Sequence, residues 1–73
     1  MFKILSKEET DNLLLTYANS PSTNITSFYE WLVQQGYFFK VDDFFFDDFN
    51  GAMECIRELG AIDGKNHGFQ IVI

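Results

Sequence analysis

The stretch from Gly36 to Phe49, Gly-Tyr-Phe-Phe-Lys-Val-Asp-Asp-Phe-Phe-Phe-Asp-Asp-Phe, constrains the fold of this chain more than any other. It holds six of the nine phenylalanines, four of the eleven acidic residues and a single base, Lys40. If Asp42 to Phe49 is helical, Phe44, Phe45 and Phe46 fan over roughly 200° of helix surface, at about 100° per residue. As a strand, the same three rings alternate between two faces. In neither geometry does one small core cover all three, so at least one ring is expected to meet a second surface. That surface is a flanking segment, a second copy of the chain or a partner, and the expectation is one of binding rather than chemistry.

Seventy-three residues make one domain, residues 1–73, and a chain this short buries only about 60% of the surface that its unfolded form exposes. The core is nonetheless rich, because 47% of the residues are hydrophobic and 18% aromatic, and an aromatic side chain buries roughly 150–250 Å². The single cysteine, Cys55, leaves no intramolecular disulfide and no cysteine-based zinc cluster, which fits a reducing compartment. Met-Phe-Lys-Ile-Leu-Ser-Lys-Glu-Glu at the start has no apolar run of signal-peptide length. No run approaches the ~20 apolar residues of a membrane span. The expected location is the cytoplasm, with no membrane partner.

Eleven acids against five bases give a net charge of -6. Direct nucleic-acid binding draws its affinity from Lys and Arg displacing counterions, whereas Lys3, Lys7, Lys40, Arg57 and Lys65 are scattered along the chain. Nucleic acid is therefore not an expected direct ligand. The acidity serves solubility and association kinetics.

Along the chain, Phe2 to Leu5 suits a short strand. Ser6 and Glu9 have capping-box spacing, so a helix starts there, with Leu13, Leu14, Tyr17 and Ala18 as its buried stripe. Asn19-Ser20-Pro21 ends it, because proline disfavours a helical residue before it. Ser27 and Glu30 repeat the capping-box spacing, with Asn24 or Thr26 as alternative caps. This second helix carries Phe28, Trp31 and Leu32, widened by Tyr29 and Val33, and Gly36 closes it in the left-handed conformation. Tyr37 to Val41 is β-prone. A third helix is expected from about Asp43, or only from Asp48, with Phe45, Phe49, Ala52, Met53, Ile56 and Leu59 on one stripe and Gly60 at its end. Gly51 costs this helix about 1 kcal/mol relative to alanine, which points to close packing against a neighbour. The turn-rich run from Gly64 to Gly68 then predicts a hairpin over Ala61 to Ile73, with Phe69, Ile71 and Ile73 on one face. The fold class is α+β: three helices with a small antiparallel sheet made of the N-terminal strand and the C-terminal hairpin.

No residue pattern points to catalysis or to a cofactor. Cys55 with His67 is the only conceivable nucleophile–base pair, and it reads as a small core thiol and a solvated loop histidine. Asp43 and Asp47, four apart on a helix, lack the alternating oxygens, glycine and glutamate of a calcium loop, so no metal is expected. A pocket of ~300 Å³ or more has little room beside the core. The aromatic–acidic stretch remains. Tyr37, Phe38, Phe39, Phe44 and Phe46, rimmed by Asp42, Asp43, Asp47 and Asp48, are the expected partner-binding residues, since apolar patches with polar rims mark interaction sites and carboxylates select a basic surface.

Two functional expectations follow. The first is a non-catalytic module that occupies a basic surface on a larger protein, nucleic-acid-handling proteins being one class that offers such a surface, and inhibits or modulates it. Compact acidic proteins of this kind occur among phage and mobile-element products, an analogy of size and charge alone. It requires Glu8, Glu9, Asp11, Glu30, Glu54, Glu58 and the four aspartates to gather largely on one side. The second comes from the order of elements, three helices followed by a hairpin, which resembles winged-helix regulators. That resemblance implies a recognition role for the third helix and a wing tip at Gly64 to Gly68. The helix would present Asp43, Asp47, Asp48, Glu54 and Glu58 against Arg57 alone, a poor surface for a DNA groove. Self-association through the aromatic patch, giving a homodimer, is a further expectation to be tested.

Overall fold

The computed structural model describes residues 2–73 and has an α+β architecture of three helices on a three-stranded antiparallel sheet. In chain order the elements are α1 (Lys7–Ala18), a single 3-10 turn (Pro21–Asn24), α2 (Phe28–Gln34), β1 (Phe38–Val41), β2 (Phe44–Phe46), α3 (Phe49–Asp63) and β3 (Gln70–Val72). The sheet order is β2-β1-β3. Ile4 forms a bridge to Val72, and Lys3 and Ile73 exchange backbone hydrogen bonds of 2.9 and 3.0 Å. The N-terminal segment therefore covers the β3 edge of the sheet. Among the described residues no strand neighbours β2 on its other side.

Local chemistry accounts for most of the boundaries. Ser6 Oγ accepts from the Glu9 N–H at 3.1 Å while Glu9 Oε1 accepts from the Ser6 N–H at 3.1 Å, a complete capping box. Ser27 caps α2 through the Glu30 N–H. At the other end of α2, Gly36 takes φ +96°, with Gly36 N–H donating to Val33 O and Tyr37 N–H to Leu32 O. This pair of bonds is the Schellman closure that needs a residue free of Cβ strain.

Three expectations are corrected. First, Asp43 to Asp47 is not helical: Phe44–Phe46 is a strand, and α3 begins at Phe49 with Asp48 as its cap, the Asp48 side chain accepting from the Asn50 N–H at 3.0 Å. Phe45 thus lies off the α3 stripe, and Asp43 and Asp47 sit at opposite ends of β2 rather than on one helix face. Second, the hairpin is β1–β2, closed by Asp42-Asp43 with Asp42 at φ +50°, not Ala61 to Ile73. Helix α3 runs through Gly60 to Asp63 and stops at Gly64, φ +70°, so Gly64 to Gly68 joins α3 to β3 and tips no wing. The β-propensity of three successive phenylalanines decided the first case. In the second, Gly60 kept helical geometry and passed the left-handed role to Gly64. Third, Leu14 and Ala18 are exposed on α1, which buries no residue and contributes only Leu13 and Tyr17 to the packing.

The buried core is small: Trp31, Leu32, Phe39, Val41, Ala52 and Ile71, with Val72 buried separately. The molecule measures 40 × 27 × 18 Å with a radius of gyration of 13.1 Å, against ~11 Å expected for a compact domain of this length. A slab 18 Å thick has room for one layer of helix on one sheet, whose faces pack about 10 Å from their neighbours, and little interior beyond that. Rings fill it. Tyr29 stacks on Phe49 at 4.1 Å, and Phe39 and Phe69 close the cluster edge-on, each pair adding about 0.5–1.5 kcal/mol beyond area burial. Tyr17, Phe28 and Trp31 form a second group.

Candidate functional site: the β2 edge and the β2–α3 groove

The aromatic stretch is divided by the pleat of the hairpin. Phe39 pairs with Phe46, Lys40 with Phe45 and Val41 with Phe44, and cross-strand partners share a face. Phe39 and Val41 point into the core, both 0% exposed, so Phe44 and Phe46 face the same side, toward α3. Phe46 is half-buried against the core. Phe44 is 55% exposed. On the opposite face Phe45 is 45% exposed and meets Phe2 at 4.9 Å and Phe38 at 5.7 Å, with Phe2 and Phe38 5.3 Å apart.

Helix α3 starts just beyond β2. A Cβ on Gly51 would stand 3.3 Å from Cδ1 of Phe46, so the missing side chain is what admits this close approach. Further along, a groove of about 420 Å³ runs between the two elements, lined by Phe44, Phe46, Gly51, Glu54, Cys55, Glu58, Leu59 and Ile62. The expectation was that so short a chain leaves little room for a pocket of this size beside its core; the space found is a groove open at the surface. Ile62, 82% exposed, ends the groove with an apolar side chain in water. A second groove, about 550 Å³, is lined by Val33, Gly36, Tyr37, Phe38, Phe45, Phe46 and Asp47. Both touch β2.

Of the nine expected contact residues, Phe44, Asp42, Asp43, Asp47 and Asp48 are exposed and Tyr37, Phe38 and Phe46 half-buried around β2. Phe39 is the correction. It belongs to the core and has no surface to offer, because the strand alternation that turns Phe38 outward turns Phe39 in. Asp48 is engaged as the α3 cap. The sequence pattern sets Phe45 on the α3 stripe, names Glu54 and Glu58 only among the acids of a general acidic face, and gives Ile62 no contact role. Reading Phe44–Phe46 as a strand and α3 from Phe49 places all four; the β-propensity of the triple phenylalanine was the available signal.

Among the described residues only two carboxylates pair with lysine, and Glu8 on α1 and Glu30 on α2 lack such a partner as do those around β2 and α3. On α1, Glu9 pairs with Lys3 at 2.6 Å and Asp11 with Lys7 at 3.0 Å. The Lys3 ammonium and the Ser6 cap hold the Glu9 carboxyl below its ordinary range, and Glu9 in turn raises Lys3. Around β2 and α3, Asp43, Asp47, Asp48, Glu54 and Glu58 have no Lys or Arg ion pair among the described residues. The acids are thus not all on one side; Glu54 and Glu58 line the first groove and Asp47 the second.

His67 is not the solvated loop histidine expected from its setting. Its side chain is largely covered, with Nδ1 3.2 Å from Asp42 Oδ2 and Nε2 2.9 Å from Asp63 Oδ2. It ties the hairpin turn to the end of α3. Asp63 is held below the usual carboxylate range, first by the Lys65 backbone N–H at 2.9 Å and then by His67. With both ring nitrogens facing carboxylates, His67 is not directed at the thiol of Cys55, which lines the apolar floor of the first groove. Among the described residues no helix is long and apolar enough to cross a membrane, and no group of three or more His, Cys, Asp or Glu side chains is arranged to hold a metal ion. Compared with protein-family models, with curated proteins and with solved structures, the chain matches none.

Proposed function

We propose that this chain is a non-catalytic protein-binding module that inhibits or modulates a larger protein in the cytoplasm by occupying a basic surface on it. The observation that carries the reading is the coincidence, along one groove, of the exposed apolar groups Phe44 and Ile62 with Glu54 and Glu58, which have no Lys or Arg ion pair among the described residues; Asp43 and Asp47 flank β2 beside it. Apolar anchors inside a charged rim are what an interface needs: the anchors supply affinity and the carboxylates supply speed of encounter and choice of partner. The single cysteine fits a reducing compartment. A nucleic-acid-handling target is one whose basic surface suits this charge.

Affinity capture from an extract of the source cell tests the reading. The immobilised wild-type chain is compared with Phe44→Ser/Ile62→Ser in the groove and with Leu15→Ser, which removes an exposed leucine from α1. A partner held by wild type and by Leu15→Ser, lost with the groove variant and released by added salt, is the expected result. Capture that depends on Leu15 and ignores the groove would overturn the reading.

A further inference from the structure

We propose that the bare edge of β2 is a strand-addition site that accepts an extended, Lys- or Arg-bearing segment of the partner as the next strand of the sheet. This rests on the reading above that the β2–α3 face is a protein-contact surface, and it specifies how contact is made.

The two edges of the sheet differ. The β3 edge is closed by the N-terminal segment through Lys3, Leu5, Ile71 and Ile73. The β2 edge makes no backbone hydrogen bond to any other segment among the described residues. In a two-residue hairpin closed at Val41↔Phe44 that pair exchanges both backbone bonds, so by alternation Lys40↔Phe45 is the non-bonded pair. The N–H and C=O of Phe45 consequently face the open edge. Open edges invite pairing unless they are blunted; β2 is only three residues long and flanked by Asp43 and Asp47, but Phe44-Phe45-Phe46 itself carries no charge, no proline and no bulge in its register with β1, so what guards this edge is negative charge that a basic segment neutralises.

Charge decides the occupant. Two copies pairing antiparallel about Phe45 would set Asp43 of one against Asp47 of the other and Asp42 against Asp48, and like charges directly opposite destabilise a sheet. A basic segment instead meets aspartates at both ends of β2. Its side chains on the helix side reach Glu54 and Glu58 in the groove. Backbone bonds then give affinity and alternate side chains give specificity, as in other strand-addition complexes.

The test uses the full chain and a synthetic peptide, Lys-Lys-Val-Thr-Val-Thr-Val-Lys-Lys, followed by amide NMR. The expected result is slower exchange of the Phe45 amide on peptide addition, binding weakened about tenfold when the central peptide nitrogen is methylated, since one hydrogen bond is lost, and binding abolished when glutamate replaces every lysine. If the lysine peptide binds equally well N-methylated, with shifts at Glu54, Glu58 and Ile62, strand addition is overturned while the groove reading stands. No binding, or binding on α1, overturns both. A concentration-dependent dimer of the free chain, with the Phe45 amide protected before any peptide is added, makes a second copy the occupant and also overturns the proposal.

Discussion

Two helical glycines in α3 separate intrinsic propensity from packing. Alanine is favoured over glycine in a helix interior by about 0.8–1.0 kcal/mol. At Gly51 the added methyl comes within 3.3 Å of Phe46 Cδ1, a few tenths of an ångström inside the comfortable carbon–carbon separation of about 3.5–4.0 Å. The Phe46 ring borders an open groove and can retreat into it, giving up a few contacts at about 0.1–0.2 kcal/mol each. The net for Gly51→Ala is a stabilisation of about 0.5 kcal/mol, or roughly 2–4 °C in Tm for a domain of this size. At Gly60 the methyl meets the backbone carbonyl of Lys65 at 3.2 Å. That carbonyl belongs to a loop pinned by Lys65 N–H to Asp63 Oδ1 and by Gly64 N–H to Gly60 O at 2.8 Å, so yielding there loosens the helix end. Gly60→Ala is expected to leave Tm unchanged or lower it. Thermal melts followed by circular dichroism read both. A lower Tm for Gly51→Ala, or an equal rise for both variants, would refute the packing described around Phe46 and Lys65.

Other perturbations bear on the core and the caps. Phe39→Ala empties the centre of the aromatic cluster at a cost of about 3–5 kcal/mol, comparable with the whole stability of a chain this short, and should abolish the cooperative melt; a retained sharp transition would contradict the core assignment. Ser6→Ala removes the α1 cap at about 1 kcal/mol, seen as a lower urea midpoint with the slope unchanged. Because the folded Asp63 carboxyl lies below its ordinary value of 3.8, its contribution is present above that value and is lost as pH falls through the lower folded one. The urea midpoint of Asp63→Ala should therefore trail wild type at pH 7 and converge with it below the ordinary carboxylate range; a gap that persists in acid would point to packing instead.

The helix starts were legible because Ser6, Glu9 and Ser27 announce themselves through side-chain bonds three residues long, and Gly36 through its need for positive φ. The α+β class and the excess of rings over interior were legible too, since both depend on composition and on short-range pattern. Phe44–Phe46 was not legible from periodicity, because three identical residues carry none; their β-propensity favours a strand and pairing with β1 fixes it. The end of α3 was misplaced for a related reason: Gly60 and Gly64 are both plausible closures, and only the loop that follows selects the later one. The His67 contacts with Asp42 and the meeting of Phe2 with Phe45 join residues distant in sequence, which no local rule reaches. The face of Phe39 depends on the β1–β2 register, which turns it into the core.

Carboxyl-group footprinting of the chain bound to its captured partner tests the central claim most directly, because each acid is labelled in proportion to its exposure. Modification of Asp43, Asp47, Glu54 and Glu58 is expected to fall severalfold on binding while Glu8 and Glu30 are labelled as in the free chain. Protection of Glu8 and Glu30 with the β2 and α3 carboxylates still fully labelled would contradict it.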